Sequence, residues 1–248
     1  MTAPTMMTKS ASSEPMSLKT YVPGTRSRIL LIGDSGSGKT AFAGTTPKPF
    51  FADFDRGLAT LAGHEDAQAK DFAKEGWEPF WSEVQLWRKQ GPQYGCETFV
   101  LDSLTTGADA LMDAILARKG KAGGQPDIAD WGEAIRKVKE LMGYLTTLDC
   151  NVIVTAHMSV EKDELTGALV RLPLIYGKEL QHKLPLYFDE VWCTNVQVKL
   201  TGGVPVPEYR VQVVPDQQVK IVKSRLNRHR KLAAQETPDF KQLVAKAK

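Results

Sequence analysis

The sequence predicts an α/β protein with a mostly parallel central sheet flanked by helices and antiparallel hairpins toward the C-terminus. Short continuous apolar runs, each ending in a polar or glycine residue, alternate with stretches of helical periodicity. The first run leads into a glycine-rich loop that opens a helix. Beyond residue 157 the texture changes to alternating segments separated by glycine turns.

Residues 1–20 mix Ser, Thr, Ala, Pro and Met without apolar periodicity and read as a flexible tail, because such a composition does not repay the entropy of ordering. Ile29-Leu30-Leu31-Ile32 then reads as a strand buried on both faces. Three runs of the same character follow: Pro49-Phe50-Phe51-Ala52 before Asp53, Thr98-Phe99-Val100-Leu101 before Asp102, and Val152-Ile153-Val154-Thr155-Ala156 before His157. In a doubly wound sheet, ligands bind outside the carboxyl ends of the strands, so these polar endings should converge.

Between the runs, Ile128, Trp131, Ile135, Val138, Leu141, Met142, Leu145 and Leu148 share one helix face behind Asp127 as N-cap. Trp77, Phe80, Trp81, Val84 and Trp87 recur at three- and four-residue intervals with Pro79 in the first turn. Core packing is the expected use of these aromatics, with base stacking the competing one. Thr166-Gly167 and Gly202-Gly203 are candidate hairpin turns, the second between 195–198 and 209–213. Both hairpins read as antiparallel and peripheral. Residues 232–248 read as a polar tail or short helix.

A chain of 248 residues that is 42% hydrophobic and 25% charged can bury a core of ordinary size, and its net charge of +3 is too small to signal nucleic-acid binding by itself. Three widely spaced cysteines, Cys96, Cys150 and Cys193, suggest neither a disulfide framework nor a thiolate zinc site, so a cytoplasmic protein is expected. No run approaches the roughly 20 apolar residues of a membrane span, and no membrane partner is expected.

The chemistry concentrates in Gly33-Asp34-Ser35-Gly36-Ser37-Gly38-Lys39-Thr40, followed by Ala41. In this spacing, small residues let successive backbone N–H groups wrap a β-phosphate, the lysine adds a point charge and the threonine hydroxyl serves Mg²⁺. The loop follows an apolar strand and opens a helical stretch, the context that distinguishes an ATP·Mg²⁺ site from a chance match. Asp102, ending its strand, is the second candidate magnesium residue, the competing reading being a surface-loop aspartate. Asp53 and Asp55 are candidates for positioning an attacking water, and both are also ordinary turn-capping residues before Gly57. His157 ends its strand where a γ-phosphate sensor would stand, and a structural histidine fits that position equally well. His64, His182 and His229 have no ligand-like spacing, so no metal beyond Mg²⁺ is expected.

The order of these motifs resembles the RecA-like P-loop ATPase core, and among its members the minimal phage-encoded proteins of single-strand annealing and recombination. The resemblance runs from about Arg28 to Arg225 and implies an ATPase domain over 21–231. It implies that Lys39 and Thr40 contact phosphate and magnesium, that Asp102 is the Walker B acid, and that His157 replaces a sensor glutamine. Asp55 falls where the family has a catalytic glutamate, and the shorter side chain implies slow hydrolysis.

Lys223 and Arg225, in Lys220-Ile221-Val222-Lys223-Ser224-Arg225, resemble the K-x-R pair of hexameric motors, which reaches the nucleotide of an adjacent subunit. A solvated basic run is the alternative, since Arg228, Arg230 and Lys231 follow. The resemblance further implies a homo-oligomer with nucleotide at its interface, single-stranded DNA as partner, with contacts between Met158 and about Leu184, and a phage single-strand-binding protein as a further partner. The location it implies is the cytoplasm of a phage-infected bacterial cell. Two rival functions remain at this stage, a nucleotide-switched DNA-binding or loader module with little hydrolysis and a P-loop small-molecule kinase.

Overall fold

The computed structural model describes residues 26–162 and 167–247. The proposed tail at 1–20 and Thr166 of the first hairpin turn lie outside them. The elements in chain order begin with β1 (Arg28–Gly33), α1 (Lys39–Gly44), β2 (Pro49–Asp53), β3 (Gln68–Asp71), α2 (Phe72–Glu75) and α3 (Trp77–Gln90). There follow β4 (Thr98–Asp102), α4 (Leu104–Arg118), α5 (Ile128–Leu145), β5 (Asn151–Ala156), β6 (Met158–Lys162), β7 (Leu169–Pro173) and α6 (Lys178–Lys183). The chain continues through β8 (Glu190–Thr201), β9 (Val204–Gln212), β10 (Lys223–Ser224), β11 (Gln235–Glu236) and α7 (Phe240–Ala247).

The main sheet runs β11-β9-β8-β1-β5-β4-β2-β3, with β10 also paired to β8. From β8 to β3 every neighbouring pair is parallel. β9, β10 and β11 add antiparallel pairings. This is the α/β architecture expected. Alternation along β1 decides the layers: Leu30 and Ile32 enter a first core beneath α2 to α6, while Ile29 and Leu31 enter a second beneath α1 and α7.

In α3, Trp77, Phe80, Val84 and Trp87 are buried in the first core, each contributing about 1.5–3 kcal/mol by leaving water. The aromatic stripe is therefore packing. In α5 the shared face begins later than expected. Ile128 is 91% exposed and Trp131 39%, and the buried residue of that turn is Asp130, held by Lys119 and Lys121 and closing a capping box with Asp127.

The hairpin at Gly202-Gly203 forms, but its first strand is not peripheral as expected. Glu190 to Thr194 of β8 are buried and parallel to β1, with β10 across Glu190 and Val191 and β9 across Cys193 and Thr194, and only the outer half extends as an antiparallel ribbon. The segment after 231, expected as a polar tail or short helix, ends in α7. Leu232, Phe240, Leu243 and Ala247 all enter the second core. Lys223 and Arg225 do not alternate along one strand, because β10 ends at Ser224 and Arg225 turns into a 3₁₀ helix over Leu226–His229.

Candidate nucleotide-binding site

β1 delivers the loop at the carboxyl end of the sheet. Gly33 allows the close approach there, since a Cβ would collide with Thr194 Oγ1 on β8 and with Ser37 Oγ. Ser37 Oγ and Thr194 Oγ1 share a hydrogen bond of 2.7 Å that ties the loop to the sheet. Gly38 has φ 93°, in the left-handed region, and a Cβ there would stand 3.0 Å from the Tyr209 ring. α1, opening at Lys39, is only six residues long.

Ser35, Gly36, Gly38, Lys39, Thr40 and Ala41 line a cleft of about 770 Å³ whose opposite wall is Phe54 to Gly57, Thr106 and His157. Gly33 and Ser37 lie buried beneath it, and Asp34 is turned outward, its carboxylate 3.1 Å from Arg171 Nη1 on β7. Lys39 Nζ donates to the carbonyls of Gly33 and Asp34, each at 3.0 Å, so it folds over the loop. Burial pushes its ammonium below the ordinary lysine value, against the opposing pull of Asp102, Asp55 and Asp34.

Asp102 is completely buried at the end of β4, not on a surface loop. Its Oδ2 accepts from Thr40 Oγ1 at 2.7 Å and its Oδ1 from Thr155 Oγ1 at 2.5 Å. Burial raises its carboxyl despite both hydrogen bonds. A threonine hydroxyl backed by one ionisable carboxylate fits Mg²⁺, a hard cation that keeps several waters and takes further oxygens from phosphates. Among the described residues no group of three or more His, Cys, Asp or Glu forms an all-protein metal cage.

The two acids at and just beyond the end of β2 divide their tasks. Asp53 pairs in register with Asp102 and accepts the Asp55 N–H at 3.0 Å, and its carboxylate also faces the backbone N–H groups of Arg56 and Gly57. It caps the turn. Burial, then the neighbouring Asp102, push its carboxyl up to about 6. Asp55 lies beyond the strand and enters the cleft, so the two acids do not share a strand face. Its Oδ1 accepts from Ser103 at 2.8 Å and Thr106 at 2.5 Å, and its Oδ2 faces His157 Nε2 at 2.9 Å. Burial raises its carboxyl, but the hydrogen bonds from His157, Thr106 and Ser103 outweigh this and hold it below the ordinary value.

Lys223 and Arg225 stand elsewhere. Lys223 pairs with Val191, and Arg225 bonds Asp189, beside Glu190, which is in register with Ile29 at the start of β1. That is roughly 13 Å along the sheet from the loop at its other end. Arg56, Tyr209 and Pro238 line the cleft without having been singled out in the sequence. Arg56 alone carried a signal, its place beside Asp55. Tyr209 and Pro238 come from remote elements that only folding brings to α1.

A strand-loop-helix at the carboxyl edge of a mostly parallel sheet, with a buried acid at the end of β4, one strand removed from β1 across β5, defines a P-loop nucleotide-binding domain. Residues 25–231 match the family described as AAA domain, and the chain belongs to that family. No curated protein matches it. Similar solved structures include a prototypical ATPase from the type III secretion system of pathogenic bacteria, with TM-score 0.44 and 17% identity over 67% of this chain and 51% of that one. The chain thus spans about half the length of that ATPase. Another is the flagellar accessory protein FlaH from Methanocaldococcus jannaschii, with TM-score 0.36 and 9% identity over 80% of this chain and 81% of that one. Among the described residues no helix is long and apolar enough to cross a membrane.

Proposed function

We propose that the protein is a RecA-like ATPase that hydrolyses ATP with Mg²⁺ and couples nucleotide state to single-stranded DNA in phage-type recombination or annealing, acting as a homo-oligomer. The observation that carries the ATPase reading is the Asp55 carboxylate, fixed by three side chains on the cleft wall opposite the phosphate loop. An acid so placed orients a water for in-line attack. Lys39 and Arg56 supply positive charge to the transferring phosphoryl group from the two walls. Thr40 and Asp102 would hold Mg²⁺, which would supply charge to offset the phosphate oxygens.

The DNA part rests on the motif order, and the local charge lends it little. On β6 and β7, Arg171 is paired with Asp34, and on α6 Lys183 is paired with Glu179. A kinase is less well supported. Between Asp102 and His157 the chain forms α4, α5 and β5, the two helices covering the first core, and only Thr106 of that stretch reaches the cleft. Phosphate release with and without single-stranded DNA, beside the Lys39→Ala protein, tests the reading. DNA-stimulated release supports it, nucleotide binding with no release at all favours the switch or loader, and label transfer to a metabolite favours the kinase.

A further inference from the structure

Charge is unevenly spread along the chain. Residues 217–248 hold nine of its 32 Lys and Arg but only two of its 29 Asp and Glu, so the remainder is net negative. Such asymmetry points to a polyanionic partner in a way that a net charge of +3 does not. A basic run is commonly a solvated face, and the pairing of its cations decides between the two. On and between α4 and α5, Arg118, Lys119, Lys121 and Lys137 each meet a carboxylate, and on the β8–β9 ribbon Lys199 and Arg210 share Glu208. The C-terminal segment differs. Among the described residues no carboxylate forms an ion pair with Lys223, Arg228, Arg230 or Lys231, while Arg28 and Arg225 share the single Asp189. Burial, and then the Arg225 charge, hold the Lys223 ammonium below the ordinary lysine value.

The fold fixes where this charge stands. Asn227 accepts the Leu232 N–H at 2.8 Å and donates to the Leu232 carbonyl at 3.3 Å, and the Arg230 N–H donates to the Asn227 carbonyl at 2.9 Å. This clamp closes a loop over Arg228, His229, Arg230 and Lys231, all four exposed. On either side of it Leu226 and Leu232 turn into the second core. None of the apolar side chains in 221–232 is exposed. An anionic lipid surface is held by charge together with apolar side chains that enter it, whereas a phosphodiester backbone is held by charge alone. The loop also lies away from the cleft. Lys223 pairs with Val191 and Ser224 with Glu190, which is in register with Ile29 near the start of β1, at the other edge of the sheet from Gly33.

We propose that the loop at 228–231, with Lys223 beside it, binds the phosphate backbone of single-stranded DNA at the sheet edge remote from the nucleotide cleft, and that the surface of β6, β7 and α6 does not. The charge supplies the surface, and the strand type rests on the DNA part of the function proposed above. Nothing in the contact depends on ATP hydrolysis.

The test is fluorescence anisotropy of a labelled oligothymidylate with the full chain over a series of salt concentrations, without nucleotide. The variants are Arg228→Gln, Arg230→Gln and Lys231→Gln combined, Arg230→Glu alone as a smaller change, and Lys162→Gln with Lys178→Gln on β6 and α6 for comparison. The loop side chains are exposed and stand away from the cleft, so circular dichroism, melting and calorimetric ATP binding should stay as in the wild type. At about 0.1 M salt the triple variant should bind about tenfold or more weakly, with a log–log salt slope smaller by about two, since each single-strand phosphate contact contributes about 0.7. Arg230→Glu should weaken binding in the same direction, and the β6–α6 pair should bind within about twofold of the wild type. A triple variant that binds like the wild type, or a larger loss in the β6–α6 pair, overturns this surface and leaves the DNA reading standing. A wild-type chain that binds no oligonucleotide even at low salt overturns both, and binding to phosphatidylserine–phosphatidylcholine vesicles in its place reassigns the loop to a membrane. Phosphate release indifferent to an oligonucleotide that does bind through the loop supports the surface and sinks only the coupling to ATP.

Discussion

Asp55 Oδ2 lies 2.9 Å from His157 Nε2, which joins the turn after β2 to the end of β5 across the carboxyl edge of the sheet. With Ser103 and Thr106 on its other oxygen, the carboxylate has one orientation. Asp55→Ala should abolish phosphate release while ATP affinity stays within a few-fold, because no phosphate contact is removed. His157→Ala should lower turnover less, by freeing the carboxylate without deleting it. Normal hydrolysis by Asp55→Ala would show that the water is held elsewhere.

Asp102→Asn should weaken nucleotide binding in Mg²⁺ far more than in a chelator. The Thr40 hydroxyl then loses its anionic partner at 2.7 Å, and the metal loses its only buried counter-charge from β4. Titrations in Mg²⁺ and in chelator check this, and equal losses under both conditions would contradict the magnesium assignment.

Arg56 holds φ 56° in the left-handed region, a strain of order 1 kcal/mol for a residue with a Cβ. Arg56→Gly relieves that strain at the cost of a freer unfolded chain, so denaturant unfolding should find it at least as stable as Arg56→Ala. Both variants should lose turnover, having lost a cleft cation. If either hydrolyses ATP like the wild type, Arg56 has no part in the reaction.

Asp53 has a folded-state value of about 6 against the ordinary 3.8, raised by burial and then by Asp102. The folded chain therefore holds a proton that the unfolded chain has released between about pH 4 and pH 6. Its contribution to stability should fall as pH rises through that window, by roughly 1–3 kcal/mol. Urea unfolding in chelator reads the slope, and Asp53→Asn should flatten it. An identical pH profile in both proteins would refute the assignment.

Arg225 pairs with Asp189 at the end of the sheet remote from its own loop, and an exposed pair of this kind is worth under about 1 kcal/mol. Any nucleotide within its reach must belong to another copy. Arg225→Ala should fold and bind ATP yet hydrolyse it poorly, and mixing it with Lys39→Ala protein should restore some turnover. Mixtures shown to co-assemble that never exceed either variant alone would leave Arg225 an idle surface charge.

Local pattern carried much of the fold. The runs before Asp53, Asp102 and His157 form parallel strands because a segment buried on both faces must be apolar throughout. The inner half of β8 was less legible, since Glu190 and Thr194 flank only three apolar residues and their burial depends on β1 on one side and on β10 and β9 on the other. Ile128 followed the helical period yet points outward, because period specifies a face and not what covers it.

The sequence by itself determined the phosphate loop, since strand, glycine spacing, lysine and threonine are consecutive and their geometry is local. It also determined which acids end strands at the loop's edge. Tertiary structure decided how those acids differ. Asp53 and Asp55 are two residues apart, yet one is buried against Asp102 and caps a turn while the other meets His157 across the cleft. Tertiary structure also placed Arg225 beside Asp189, far from the loop, and brought Tyr209 onto Gly38, more than 150 positions away in sequence. The reason is physical: backbone conformation follows from neighbours in sequence, whereas charge, burial and hydrogen bonding depend on neighbours in space, which only the packed sheet supplies.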